Sequence, residues 1–139
     1  MSKSIEENKA LVRRWNESLN TGNAGIWDEL GATGYVFHGA DRDYGVQEMK
    51  RWMTAYRQAF SDIRLTVEDM IAEGDRVAIR YSIRATHKGP YLGIAATGRI
   101  VTVTGMSAYR IKDGRIAEDW GVADSLSQLQ QLGAVPAFG

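Results

Sequence analysis

The chain has 139 residues, 44% of them hydrophobic and 24% charged, which suits one globular domain with a sizeable core. Seventeen basic side chains cancel seventeen acidic ones without a basic run, so neither nucleic acid nor a membrane surface is an expected partner. The absence of cysteine excludes disulfides, thiolate metal sites and cysteine nucleophiles. With only two histidines beside it, neither a metal nor another cofactor is expected.

The opening MSKSIEENKA lacks the apolar stretch of a signal peptide, and no apolar run approaches the ~18 residues of a membrane span, so a cytoplasmic location is expected. Residues 4 to 19 read as a helix: Ser4 and Glu7 form a capping box, and Leu11, Val12, Trp15 and Leu19 recur at helical spacing. Asn20 to Asn23, with Gly22, stops it. A short helix over Ala24 to Leu30, a brief strand over Tyr35 to His38 and a polar loop over Gly39 to Gly45 follow. Val46 to Phe60 is a third helix, with Met49, Trp52, Met53, Tyr56 and Phe60 in an apolar stripe.

From Ile63 the period changes to two. Ile63, Leu65, Val67 and Ile71 alternate with polar residues, with Met70 out of step, then Glu73-Gly74-Asp75 turns the chain into Val77, Ile79, Tyr81 and Ile83. A glycine-bearing loop from His87 to Gly98 leads to a long strand, Arg99 to Ile111. After the turn Lys112-Asp113-Gly114 comes a last strand, Arg115 to Val122, and a helix over Ser125 to Leu132 capped by Asp124.

Helices first and meandering strands afterwards predict an α+β domain over residues 1–139: a curved antiparallel sheet wrapped around N-terminal helices into a cone. Gly105 and Gly121 inside strands suggest bends. A cone rich in aromatic residues offers an apolar pocket for a small hydrophobic molecule. On the long strand, Val101, Val103, Gly105, Ser107 and Tyr109 share the expected pocket face. Thr102, Thr104, Met106 and Ala108 share the other, which is uncharged and suits a partner subunit.

Three segments carry a family resemblance. They are Thr86-His87-Lys88-Gly89 through Thr97-Gly98, Arg110 to Trp120 followed by Asp124 and Gln131-Leu132-Gly133, and Ala59-Phe60-Ser61-Asp62-Ile63. In this order and spacing the sequence resembles the SnoaL-like polyketide cyclases and their ester cyclase relatives. The resemblance implies the cone-shaped fold of nuclear transport factor 2-like proteins, cofactor-free intramolecular aldol cyclisation or a related isomerisation, and a homodimer or higher homo-oligomer. The family's acid/base aspartate falls at Gly121 here, and a supporting histidine falls at Ser107.

That departure leaves two functions open. In the first, Asp119, two residues before Gly121 and so on the same strand face, acts as the base, its pKa raised by an apolar pocket, with His38 as the second acid/base group. The alternatives for Asp119 are a pair with Arg80 or Arg84, or exposure to solvent. In the second, the protein binds or carries a polycyclic or lipid-like ligand without chemistry. A scaffold role is a third reading. A hydrolase built from Asp119, Asp69 and Arg80 is a fourth.

In the first two functions the expected ligand-contacting residues are Trp15, Trp52, Tyr56, Phe60, His87, Ser107, Tyr109, Trp120 and Gly121, with Tyr56 and Tyr109 offering phenol hydroxyls. His38 and His87 serve equally well as loop-fixing hydrogen-bond partners. The charged loop residues Asp41, Arg42 and Asp43 are read as solvated, or as a gate.

Overall fold

The computed structural model describes residues 4–137. The first helix, α1 (Ile5–Thr21), starts on the expected capping box: Ser4 Oγ accepts from the Glu7 N–H at 3.1 Å, and Glu7 reaches back to the Ser4 N–H. It ends at Gly22, whose φ of 79° is the left-handed cap conformation. α2 (Ile26–Leu30) begins two residues later than its apolar spacing suggests and buries Trp27 and Leu30.

β1 (Gly31–His38) is twice the expected length and leads through a two-residue strand, β2 (Asp43–Tyr44), to α3 (Val46–Ala59). The remainder runs β3 (Phe60–Glu73), β4 (Arg76–His87), β5 (Ile100–Lys112), β6 (Arg115–Ala123) and α4 (Ser125–Gln131), the last capped by Asp124 Oδ1 on the Ser127 N–H. The β5–β6 turn is Asp113-Gly114 with φ of 52° and 74°, the positive values a tight two-residue hairpin requires.

The six strands form one sheet in the order β2-β1-β6-β5-β4-β3. The α+β class holds, but the sheet is mixed rather than wholly antiparallel, because β1 runs parallel to β6. That pairing joins the first strand to the last and sets Phe37 beside Asp119 and His38 beside Trp120.

Helices α1 and α3 lie on one face. Val12, Trp15 and Leu19 of α1 and Met53 and Tyr56 of α3 meet the inward residues Val77, Ile79, Ile83, Val101, Val103 and Tyr109 in one apolar core. Gly105 serves close approach rather than backbone freedom. A Cβ there would overlap the Tyr81 hydroxyl and come 2.8 Å from the Val122 carbonyl oxygen.

One expectation about β3 fails for a physical reason. Val67 pairs with Tyr81 and Asp69 with Arg80, so Glu68 is a bulge that shifts the alternation by one residue. Beyond it Met70 and Ala72 turn inward, and Ile71, expected inside, is 72% exposed. A one-residue slip reverses every later side chain.

β3 is an edge strand, and α1 holds it by a side-chain clamp. Asn20 Oδ1 accepts from the Leu65 N–H at 2.6 Å, while Asn20 Nδ2 donates to the Leu65 carbonyl at 3.1 Å. The amide stands in for a neighbouring strand. Replacing it by alanine removes two hydrogen bonds and is expected to lower stability by about 1–3 kcal/mol. A thermal melt of Asn20→Ala checks this, and Asn20→Asp, which keeps the acceptor and loses the donor, should be no better.

Candidate functional site

A cavity of about 560 Å³ lies between α1, α3 and the inward sheet face. Trp15 and Leu19 line it from α1, Met49 and Trp52 from α3, and Tyr81, Ser107, Tyr109, Asp119 and Gly121 from the sheet. Period-two alternation places the sheet residues there. Ser107 faces Gly121 and Tyr109 faces Asp119 across the antiparallel β5–β6 pair, as two successive inward rungs.

Asp119 is the chemical centre of this wall. It is 3% exposed, and its Oδ2 accepts a hydrogen bond from the Tyr35 hydroxyl at 2.8 Å. Its Oδ1 is buried without a hydrogen-bond partner. Desolvation pushes the carboxyl pKa up to about 7 from an ordinary 3.8, against the smaller opposing effects of the Tyr35 hydrogen bond and the His38 charge. Burial and the nearby carboxylate raise Tyr35 far above the usual phenol range, so it remains a donor.

The arginine pairing considered for Asp119 does not occur. Arg80 binds Asp69 instead, Nε to Oδ2 at 2.7 Å, both at least half exposed. Asp69 and Arg80 therefore do not converge with Asp119 on the cavity, and the water-activating triad is not assembled.

The other sequence-derived candidates divide by strand face and depth. Trp15, Trp52, Ser107, Tyr109 and Gly121 line the cavity with Asp119. His38 and Trp120 do not. Each is one residue beyond an inward one, Phe37 and Asp119, so each projects from the other side of the sheet. There the two rings stack at 5.0 Å, and His38 Nδ1 lies 3.0 Å from Asp43 Oδ1.

Tyr56, Phe60 and His87 fall outside the cavity as well. They form an aromatic nest with Tyr91 beneath the loop after β4, with Tyr56 and Phe60 stacked at 4.7 Å and Phe60 5.3 Å from His87. His87 is fully buried, and its Nδ1 accepts from the Thr97 backbone N–H at 3.2 Å, which pins that loop.

At the mouth, the loop after β1 is tied together rather than merely solvated. Tyr44 donates to Asp41 at 2.9 Å, and Arg42 pairs with Glu48 at 2.6 Å while covering the Tyr44 ring. Asp41 and Arg42 both line the cavity.

Sequence reasoning passed over Tyr35, Phe37, Asn16 and Tyr81. Tyr35 and Phe37 carry a signal in retrospect, since alternation along β1 puts them on one face. Asn16 interrupts the apolar stripe of α1 next to Trp15 and gave none. Among the described residues no group of three or more His, Asp or Glu side chains is placed to hold a metal ion, and no helix is long and apolar enough to cross a membrane.

The buried carboxyl links stability to pH. Its folded pKa lies above its unfolded one, so the folded state binds the proton more tightly. The stability this contributes is complete below about 3.8 and is lost as pH rises through about 7. Asp119→Asn removes that slope. Relative to the parent it should gain about 2–3 kcal/mol between pH 5 and pH 8, two units at about 1.4 kcal/mol each. Urea unfolding of both proteins at the two pH values measures the difference.

A family model described as SnoaL-like polyketide cyclase matches residues 9–132. Among solved structures, AclR from Streptomyces galilaeus, described as a candidate hydroxylase, is 29% identical with a TM-score of 0.90, covering 98% of this chain and 87% of that one. IdmH from Streptomyces antibioticus, described as a candidate polyketide cyclase, is 29% identical with a TM-score of 0.81, covering 91% of this chain and 98% of that one. TsrD from Streptomyces laurentii is 26% identical with a TM-score of 0.87, covering 96% of this chain and 100% of that one. A search of curated proteins returned no match.

Proposed function

The chain belongs to the SnoaL-like polyketide cyclase family, and we propose that it is a cofactor-free acid/base enzyme acting on a hydrophobic, polycyclic carbonyl compound. The observation that carries this reading is Asp119: a nearly buried carboxyl on the cavity wall, one oxygen held by Tyr35, the other unpartnered, poised to titrate at about 7. A base for carbon acids needs a pKa near the working pH, and burial supplies it here. The descriptions of AclR and IdmH name different chemistries, and the acid/base reading follows the second.

In the proposed step, ionised Asp119 takes a proton from the carbon next to a ligand carbonyl, leaving an enolate and a neutral carboxylic acid. In an isomerisation the proton returns to another carbon of the same enolate. In an aldol closure the enolate carbon attacks a second carbonyl of the ligand, and Asp119 protonates the resulting alkoxide. Either sequence leaves the enzyme unchanged.

The empty acid position at 121 is compatible with this. A Cβ on Gly121 would lie 3.1 Å from both the Phe37 ring and Ser107 Oγ, so this cavity has no room for a larger side chain there without movement. The rung Ser107–Gly121 carries no acid or base, and the next inward rung, Tyr109–Asp119, carries one. The exposed Met106 and Val122, paired on the outer sheet face, support a second copy of the chain as the cover of that surface.

One observation favours a binding protein instead: both Asp119 oxygens are shielded, and a ligand must reach past that cover. Proton exchange separates the readings without knowledge of the natural substrate. Enolisable aromatic ketones such as 2-tetralone, incubated in D₂O, should exchange their α-protons faster with the protein present. Asp119→Asn should reduce the enzymatic rate by about 100-fold or more while ligand affinity is kept. The rate should rise with pH through about 7 and level off above it, since only the ionised carboxylate accepts a proton. Ketones that bind without accelerated exchange across the panel would establish the binding role.

A further inference from the structure

The hydroxyl of Tyr109 is set up differently from the other phenols of the cavity. It is buried at 2% exposure, sits opposite Asp119 on the adjacent strand and meets Asn16, from α1, inside the cavity wall. The amide of Asn16 is oriented by its own helix, because Nδ2 donates to the Val12 carbonyl at 2.9 Å. A flipped amide would set two oxygens against each other there. The second Nδ2 hydrogen then reaches the Tyr109 oxygen at 3.1 Å, closer than the 3.3 Å to Asn16 Oδ1.

With its oxygen accepting from Asn16 at the shorter distance, the phenol is left only the longer contact to Asn16 Oδ1 for its own proton, a contact that a ligand oxygen can replace. Burial and the Asp119 carboxylate both hold that proton on the oxygen, and the hydrogen bonds from Asn16 and Ser107 offset this only in part. A neutral donor fixed in a desolvated wall, one strand from a carboxylate, is what a developing oxyanion requires. Tyr81 also lines the cavity, but its hydroxyl accepts no comparable side-chain hydrogen bond among the described residues.

Building on the acid/base reading of Asp119, we infer that Tyr109, positioned by Asn16, is the oxyanion donor of this cavity. Its ligand class is a phenol, or a carbonyl compound that passes through an enolate, with the ligand oxygen at Tyr109 and the acidic carbon at Asp119. Tyr109 touches the ligand in this arrangement. Asn16 is a positioning residue that acts through Tyr109.

A bound phenol reports on the donor directly, since its ionised form resembles an enolate. 2-Naphthol is titrated into the protein, binding is read by quenching of the tryptophans that line the cavity, and the ionisation of the bound probe is read by absorbance against pH. Tyr109→Phe, which keeps the ring, should weaken the acidity of bound naphthol about tenfold, one pKa unit. Asn16→Leu should reproduce most of that change while Tyr109 is present, and Tyr81→Phe should change it less than Tyr109→Phe does. In the 2-tetralone exchange assay Tyr109→Phe should lower the rate constant by about 100-fold with little change in KM.

Equal naphthol acidity in the parent and Tyr109→Phe overturns the inference, as does a shift lost in Tyr81→Phe instead, or naphthol that does not bind. Should Asn16→Leu fail to fold, Tyr109→Phe alone decides the donor's identity. Failure of the acid/base reading looks different: Asp119→Asn would then retain proton exchange while the naphthol shift still depended on Tyr109.

Discussion

The architecture of the cavity is organised around a carboxyl group that the fold holds almost completely away from water. Burying Asp119 disfavours its charge, and a single phenol compensates on one oxygen only. Such a group survives in a stable protein when the surrounding packing fixes it. Here the parallel β1–β6 pairing brings Phe37 alongside, and Tyr35 reaches across from β1. The ionised form that acid/base chemistry uses is the form the fold tolerates least. Stability and reactivity therefore pull in opposite directions over the same pH interval.

The aromatic residues separate into two populations with different tasks. On α3, Met49 and Trp52 face the open cavity, whereas Met53 and Tyr56, a further step around the helix, are packed tight. Phe60 continues that packing into β3 and joins Tyr91 and His87 under the loop that closes the end of β4. A dense nest beside a hollow gives the cavity a rigid wall.

Local chemistry made much of the fold legible in sequence. The capping box of α1, its Gly22 stop, the Asp124 cap and the Asp113-Gly114 turn are determined by neighbouring residues, and the structure has each of them. Long-range geometry was less accessible. The parallel partner of β1 lies some 80 residues away in sequence and left no mark on the local pattern, so the facing of His38 and the reach of Tyr35 stayed hidden. Neither Glu68 nor its neighbours is a glycine, and the bulge there has no turn residue to announce it. For the site itself, the two-residue step from Gly121 to Asp119 was readable because strand alternation is strict. The role of Asn16 depended on a helix-to-sheet contact that spacing cannot reveal.

The clamp by which Asn20 grips Leu65 also has a consequence for the behaviour of molecules in a crowd. An exposed 14-residue border strand would offer other chains a ladder of unpaired amide groups, the usual seed of edge-to-edge polymerisation. A side chain from the protein's own first helix occupies one of those rungs, and the Glu68 bulge distorts the next few. At the opposite border the terminal strand is only two residues long. The β3 margin of the sheet is thus a poor template for edge-to-edge pairing.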